Sequence, residues 1–219
     1  MADRIKRHYG ESAVAYEDVL RGEPWPDGFW SSTNRNRRVT EILEYLFLDK
    51  LKIKKYEEAK CVLTADFINE YELSILVDMA ERPPEMNDGE FFYLLWTIFP
   101  EKRPTDDELI IKAYSEVLSG KRKTFPRGYF LKNGEVEHRA VVCFKYLCEE
   151  VLCLDREGIC KTFCNSYAIK VLSKYKLKML VDMVYESLFH LVLAAYPDYA
   201  GELENYRLDK RRSENKEAK

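Results

Sequence analysis

Glycine and proline are scarce in this chain, with 9 and 8 among 219 residues. An all-β protein built on many tight turns needs more of both, so that class is excluded first. Histidine is scarcer still: His8, His138 and His190 are the only three. No two stand at metal-ligand spacing, and His-Glu-x-x-His is absent. Gly-x-Gly-x-x-Gly, the Gly-Lys-Ser/Thr phosphate loop and the Gly-x-Ser-x-Gly elbow are also missing, so no enzyme is expected. No window of about 18 apolar residues exists, and the most apolar stretch, 188–195, is far too short to span a bilayer. Behind Met-Ala-Asp-Arg-Ile-Lys-Arg there is no apolar run, so no signal peptide and a cytoplasmic location are expected.

Apolar residues make up 46% of the chain and charged residues 33%, enough for a core and a soluble surface together. Leu, Ile, Lys, Glu and Tyr recur at helical spacing over long stretches, and the fold class read from them is all-α. Six cysteines in a reducing compartment are expected to be thiols. Cys143, Cys148, Cys153, Cys160 and Cys164 cluster, but without the Cys-x-x-Cys knuckle of most zinc sites. They read as small buried hydrophobes, and neither a metal nor a cofactor is expected.

The most informative feature is a repeat. Trp25-Pro26-Asp27-Gly28-Phe29-Trp30 returns as Phe125-Pro126-Arg127-Gly128-Tyr129-Phe130. Behind each copy Arg38 falls against Arg139, Leu43 against Phe144, and Tyr45-Leu46 against Tyr146-Leu147. Further on, Leu76-Val77-Asp78-Met79 recurs as Leu180-Val181-Asp182-Met183, and Phe99-Pro100 as Tyr196-Pro197. In this register Cys143 and Cys148 stand opposite Ile42 and Phe47. The chain is two tandem copies of a helical module of about 75 residues. The expected layout is a lead-in over 1–24, module one over 25–100, a helical connector over 101–124, module two over 125–197 and a charged tail over 198–219. Within that tail 209–219 is expected to be disordered.

Local signals place about four helices in each module. The first long helix of module one is expected from about residue 33 to 51, followed by a short one over 56–61. Thr64 caps a further helix running to Met79, and Asn87 with Glu90 starts an apolar helix over 91–99. Thr105 and Glu108 form a capping box for the connector helix, which Ser119-Gly120 ends. Module two follows the same plan, and 177–195 is expected to run as one long helix. In each aromatic turn Pro fixes φ and Gly permits a φ that other residues resist, and the flanking rings are expected to plug the end of a helical bundle.

Pro-x-Gly-Phe-Trp, the helix with Arg38 and Tyr45-Leu46, the Leu-Val-Asp helix and the terminal Tyr-Pro together resemble a tandem helical module of uncharacterised bacterial and phage proteins, chiefly from bacilli. That resemblance implies a small helical repeat and carries no catalytic residues to transfer.

Charge is the one uneven signal. Residues 25–100 hold 9 Lys and Arg against 14 Asp and Glu, a balance of −5, whereas 125–197 hold 10 against 8, a balance of +2. Arg35, Arg37 and Arg38 open the first long helix, where cations oppose the macrodipole. Lys121, Arg122, Lys123 and Arg127 surround the second turn, with Arg139 following. A helix over 168–183 would present Lys170, Lys174, Lys176 and Lys178, compatible with a helix-turn-helix reading. These residues are the candidate nucleic-acid contacts. The total charge of −3 weighs against strong binding of that kind. His190, inside an apolar helix, is expected in the core and His138 at the surface. Asp78 and Asp182 are read as hydrogen-bonded packing residues. The expected role is a non-enzymatic interaction module with a protein partner or self-association. The alternative is a nucleic-acid-binding regulator using the basic face of module two.

Overall fold

The structure, a computed structural model, describes residues 2–31, 33–131, 135–165 and 167–205, with side chains from Tyr9 onward. His8 as a side chain and the 209–219 segment lie outside the described residues. Every regular element among the described residues is helical, as the composition implied. The chain divides into two compact units, Met1–Pro104 and Thr105–Lys219.

In the first unit α1 spans Ala2–Val19 and breaks at Gly10, whose φ of 72° and ψ of −165° no helix tolerates. Its second half packs on α2 (Arg35–Glu44), with Ala13 and Tyr16 fully enclosed. From Tyr45 to Lys50 the helix widens to a π coil. Leu51 N–H then reaches the Leu46 carbonyl and Ile53 N–H the Phe47 carbonyl, with Lys52 left-handed between them at φ 59°. Shorter pieces follow: α3 (Tyr56–Val62), α4 (Ala65–Glu70), α5 (Ser74–Met79), and 3-10 turns over Phe92–Thr97 and Pro100–Lys102. Ile42, Leu43, Leu46, Phe47, Leu73, Leu76, Leu94 and Leu95 are fully buried and form the core. Each such side chain contributes roughly 1.5–3 kcal/mol by leaving water.

The second unit opens with α6 (Asp106–Ser119), capped by the Thr105–Glu108 box and closed by left-handed Gly120 at φ 79°. Then come α7 (Val136–Tyr146) with a π coil over Leu147–Val151, α8 (Arg156–Phe163), α9 (Ala168–Lys174), a π turn over Leu180–Val184, α10 (Leu188–Ala195) and a 3-10 turn over Pro197–Tyr199. The helix read from the sequence as a connector therefore stands inside the second unit. It occupies there the place that α1 occupies in the first.

The repeat is reproduced bond by bond. Leu152 N–H donates to Leu147 and Leu154 N–H to Cys148, with Cys153 left-handed at φ 50°, as at Lys52. Cys143 and Cys148 are fully buried, like their counterparts Ile42 and Phe47. Burial pushes the Cys148 thiol up to about 12, which keeps it protonated and inert. Both aromatic turns close identically: Phe29 N–H to the Pro26 carbonyl at 3.0 Å and Tyr129 N–H to Pro126 at 3.1 Å, with Gly28 and Gly128 at φ 68° and 77°. Trp25 meets Phe29 and Trp30 at ring distances of 5.0 and 4.9 Å; Phe125 meets Tyr129 and Phe130 at 5.3 and 4.9 Å.

Four local expectations are corrected. The helix expected over 64–79 is two, because Glu72 turns left-handed at φ 51° and Leu73 N–H folds back to the Ile68 carbonyl. The helix expected over 168–183 breaks in the same way at Lys176, φ 63°, with Leu177 N–H on Leu172. The segment 177–195 is not continuous either: Ser187 is extended, and its hydroxyl caps α10 by accepting from His190 N–H. The apolar helix expected over 91–99 is a 3-10 turn, Phe92–Thr97, with Tyr93 to Trp96 consecutively buried. Five side chains are also placed differently from their reading. His190, expected in the core, is exposed, and so are Asp78, Asp182 and Cys153, while Cys164, like Cys153 expected to be buried, is half-buried.

Candidate functional site

Each left-handed break frees a carbonyl that the interrupted helix no longer satisfies. In the first unit the Tyr71 carbonyl accepts from the Tyr16 hydroxyl at 2.6 Å; in the second, the Tyr175 carbonyl accepts from Tyr114 at 2.9 Å. Both phenols are fully buried, and burial raises both pKa values well above the ordinary tyrosine range, so they remain donors. The same two rings stack on the turn motifs, Tyr16 on Trp25 at 6.1 Å and Tyr114 on Phe125 at 5.7 Å. One tyrosine thus joins helix, turn and break in each unit.

In the second unit this junction borders a cleft of about 270 Å³. Val117 from the last turn of α6, Phe125 from the aromatic turn and Met179 beyond α9 give it an apolar floor; Thr124, Lys123, Lys176 and Lys178 complete the wall. All three lysines are exposed. Lys178 has Asp182 at 3.8 Å, while Lys123 and Lys176 have no carboxylate partner among the described residues. An anion entering the cleft meets two cations without a carboxylate partner, Lys123 and Lys176, beside a hydrocarbon floor. The chemistry it suits is an apolar group carrying negative charge.

The structure scatters the remaining basic residues. Lys121 and Arg122 lie 3.1 and 3.4 Å from Glu116, a carboxylate only 7% exposed. Arg37 pairs with Glu41 at 2.7 Å, and Arg35 is exposed. Arg38 lies over the Phe29 ring at 4.4 Å and Arg139 over Tyr129 at 4.9 Å, the latter also 2.7 Å from Glu135 and only 6% exposed. These two arginines clamp the aromatic turns by cation–π contact. Lys170 and Lys174 sit over Tyr167 and Tyr175 on α9, and Arg127 is exposed at the tip of the turn. Of the residues singled out by charge, the cleft gathers Lys123, Lys176 and Lys178. The break at Lys176 separates Lys176 and Lys178 from Lys170 and Lys174, with which they were read as one helical face. Val117 and Met179 carried no signal, being ordinary apolar residues.

The repeat supplies a comparison inside the molecule. Counting from the matched tyrosines and turn rings, Lys123, Lys176 and Lys178 stand where the first unit has Glu23, Glu72 and Ser74. The floor is kept in kind: Val19, Trp25 and Ile75 replace Val117, Phe125 and Met179. Glu72 and Lys176 share the left-handed backbone, at φ 51° and 63°. Equal scaffolds therefore carry lysine in place of glutamate at two of these three positions, as they carry Arg127 in place of Asp27 at the turn tip.

Among the described residues no group of His, Cys, Asp and Glu is arranged to hold a metal ion, and no helix is long and apolar enough to cross a membrane. No curated protein and no solved structure matches the chain. A family model matches it twice, over residues 13–103 and 110–201. Each match opens inside the helix that precedes an aromatic turn, α1 or α6, and takes in the later part of that helix. The chain belongs to the family described as "Protein of unknown function (DUF4046)", two of whose domains it carries in tandem.

Proposed function

We propose that the chain is a non-enzymatic interaction module whose second unit binds an acidic, apolar segment of a partner protein in the cleft between α6 and the break after α9. The observation that carries this reading is the cationic rim of Lys123, Lys176 and Lys178 around Val117, Phe125 and Met179. An apolar floor supplies binding energy, and the ammonium groups select for charge and speed encounter. The cleft is lined by three lysines, one threonine and three apolar residues, with no carboxylate or imidazole to move a proton, which favours recognition over turnover. Free cysteines, three of them buried, suit a reducing compartment such as a bacterial cytoplasm.

Protein is favoured over nucleic acid because the basic residues do not form a continuous track. Lys121, Arg122, Arg37 and Arg139 are engaged with carboxylates, and the net charge is −3. Fluorescence anisotropy tests the reading with a labelled peptide of about twelve residues alternating Glu with Leu and Phe. The peptide should bind, and Lys123→Ala/Lys176→Ala/Lys178→Ala should weaken it about tenfold or more, equivalent to roughly 1.4 kcal/mol. A peptide with Gln for every Glu should bind poorly. Equal affinity of the triple variant, or preference for a DNA duplex of any sequence over the peptide, overturns the proposal.

A further inference from the structure

We propose that the partner seated on this basic cleft is a second copy of the chain, which presents the acidic counterpart face of its own first unit. This rests on the cleft being a protein-docking site and narrows it to one occupant.

The two faces differ in the sign of their charge at two matched positions. Glu23 and Glu72 are exposed and have no cationic partner among the described residues; Lys123 and Lys176 are exposed and have no anionic one. The two faces share their backbone plan, down to the tyrosine bonds at 2.6 and 2.9 Å and the left-handed residue beside them. Two such faces can meet about a local twofold axis, each apolar patch covering the other. Were the units identical, that meeting would set glutamate against glutamate or lysine against lysine. Inversion of sign in one unit removes the repulsion and makes the mixed pairing, first unit to second unit, the favoured one. Since each chain owns one face of each kind, the contact is heterologous, and copies join head to tail.

Sedimentation velocity on the full chain tests this. The mass should rise with protein concentration from about 1 to about 200 µM in low salt and return to that of the monomer near 0.5 M salt, where exposed charges are screened beyond about 4 Å. Lys123→Glu/Lys176→Glu/Lys178→Glu should be monomeric in low salt, and so should Glu23→Lys/Glu72→Lys. An equimolar mixture of the two should associate again, because each then offers what the other lacks. Circular dichroism matched to the parent shows that the variants fold, and the salt series on the parent needs no variant at all. A parent that stays monomeric across the range, or associates without regard to either charge reversal, overturns the inference. If that monomer still binds the acidic peptide through the cleft, only the identity of the partner has failed. If it binds no peptide either, the docking reading has failed with it.

Discussion

The Tyr16 and Tyr114 hydroxyls illustrate what one atom does when it is enclosed. Each donates to a carbonyl stranded by a broken helix, and neither has water to fall back on, since both side chains are fully buried. Removing such a donor leaves the carbonyl desolvated, and the cost is the full penalty of an unmade bond. Tyr16→Phe and Tyr114→Phe should each lower unfolding free energy by roughly 1–3 kcal/mol in urea titrations. Tyr167→Phe is the control: that ring is 66% exposed, and its hydroxyl should be worth nothing measurable. Equal effects at all three sites would show that the buried bonds carry no special weight. The hydrogen bonds of these tyrosines were not legible in the sequence because their partners are backbone carbonyls 55 and 61 residues away, and no side-chain pairing announces a carbonyl.

At the scale of elements, what was legible is what local chemistry specifies. The two aromatic turns, the Thr105–Glu108 capping box, the Gly120 stop and the helices 35–50 and 136–151 follow from residues whose preference is strong and short-range. The breaks after α4 and α9 were missed for a physical reason. A helix commonly stops on a left-handed glycine, and here Glu72 and Lys176 take that conformation instead. The Leu73–Ile68 and Leu177–Leu172 hydrogen bonds, between buried leucine and aliphatic neighbours, hold them there. The break after α9 undid the continuous lysine face expected over 168–183, separating Lys176 and Lys178 from Lys170 and Lys174. Phe92–Thr97 failed differently: four consecutive buried residues give no face from which to read a period. Strain at a left-handed non-glycine position is relieved by removing Cβ. Glu72→Gly should therefore raise stability by about 1 kcal/mol, read as a higher urea midpoint at unchanged slope. A drop of that size would mean that the Glu72 side chain, exposed as it is, contributes more than its backbone costs.

Across the whole molecule, duplication has kept the core and the turns while the charges separated, −5 over 25–100 against +2 over 125–197. Surface residues away from the core contribute little to folding, so they were free to diverge. If the cleft's selectivity resides in its three lysines, the first unit already has the scaffold and lacks only the sign. Glu23→Lys/Glu72→Lys/Ser74→Lys changes three exposed positions and should create a second basic site beside Val19, Trp25 and Ile75. Isothermal titration with the acidic peptide should then give two equivalents bound per chain in place of one, both weakened by salt. A stoichiometry that stays at one, with the original cleft intact, would shift the selectivity from charge to shape. It would then lie in the replacements the lysines accompany, Pro24 by Thr124, Trp25 by Phe125 and Ile75 by Met179, which set the width of the floor.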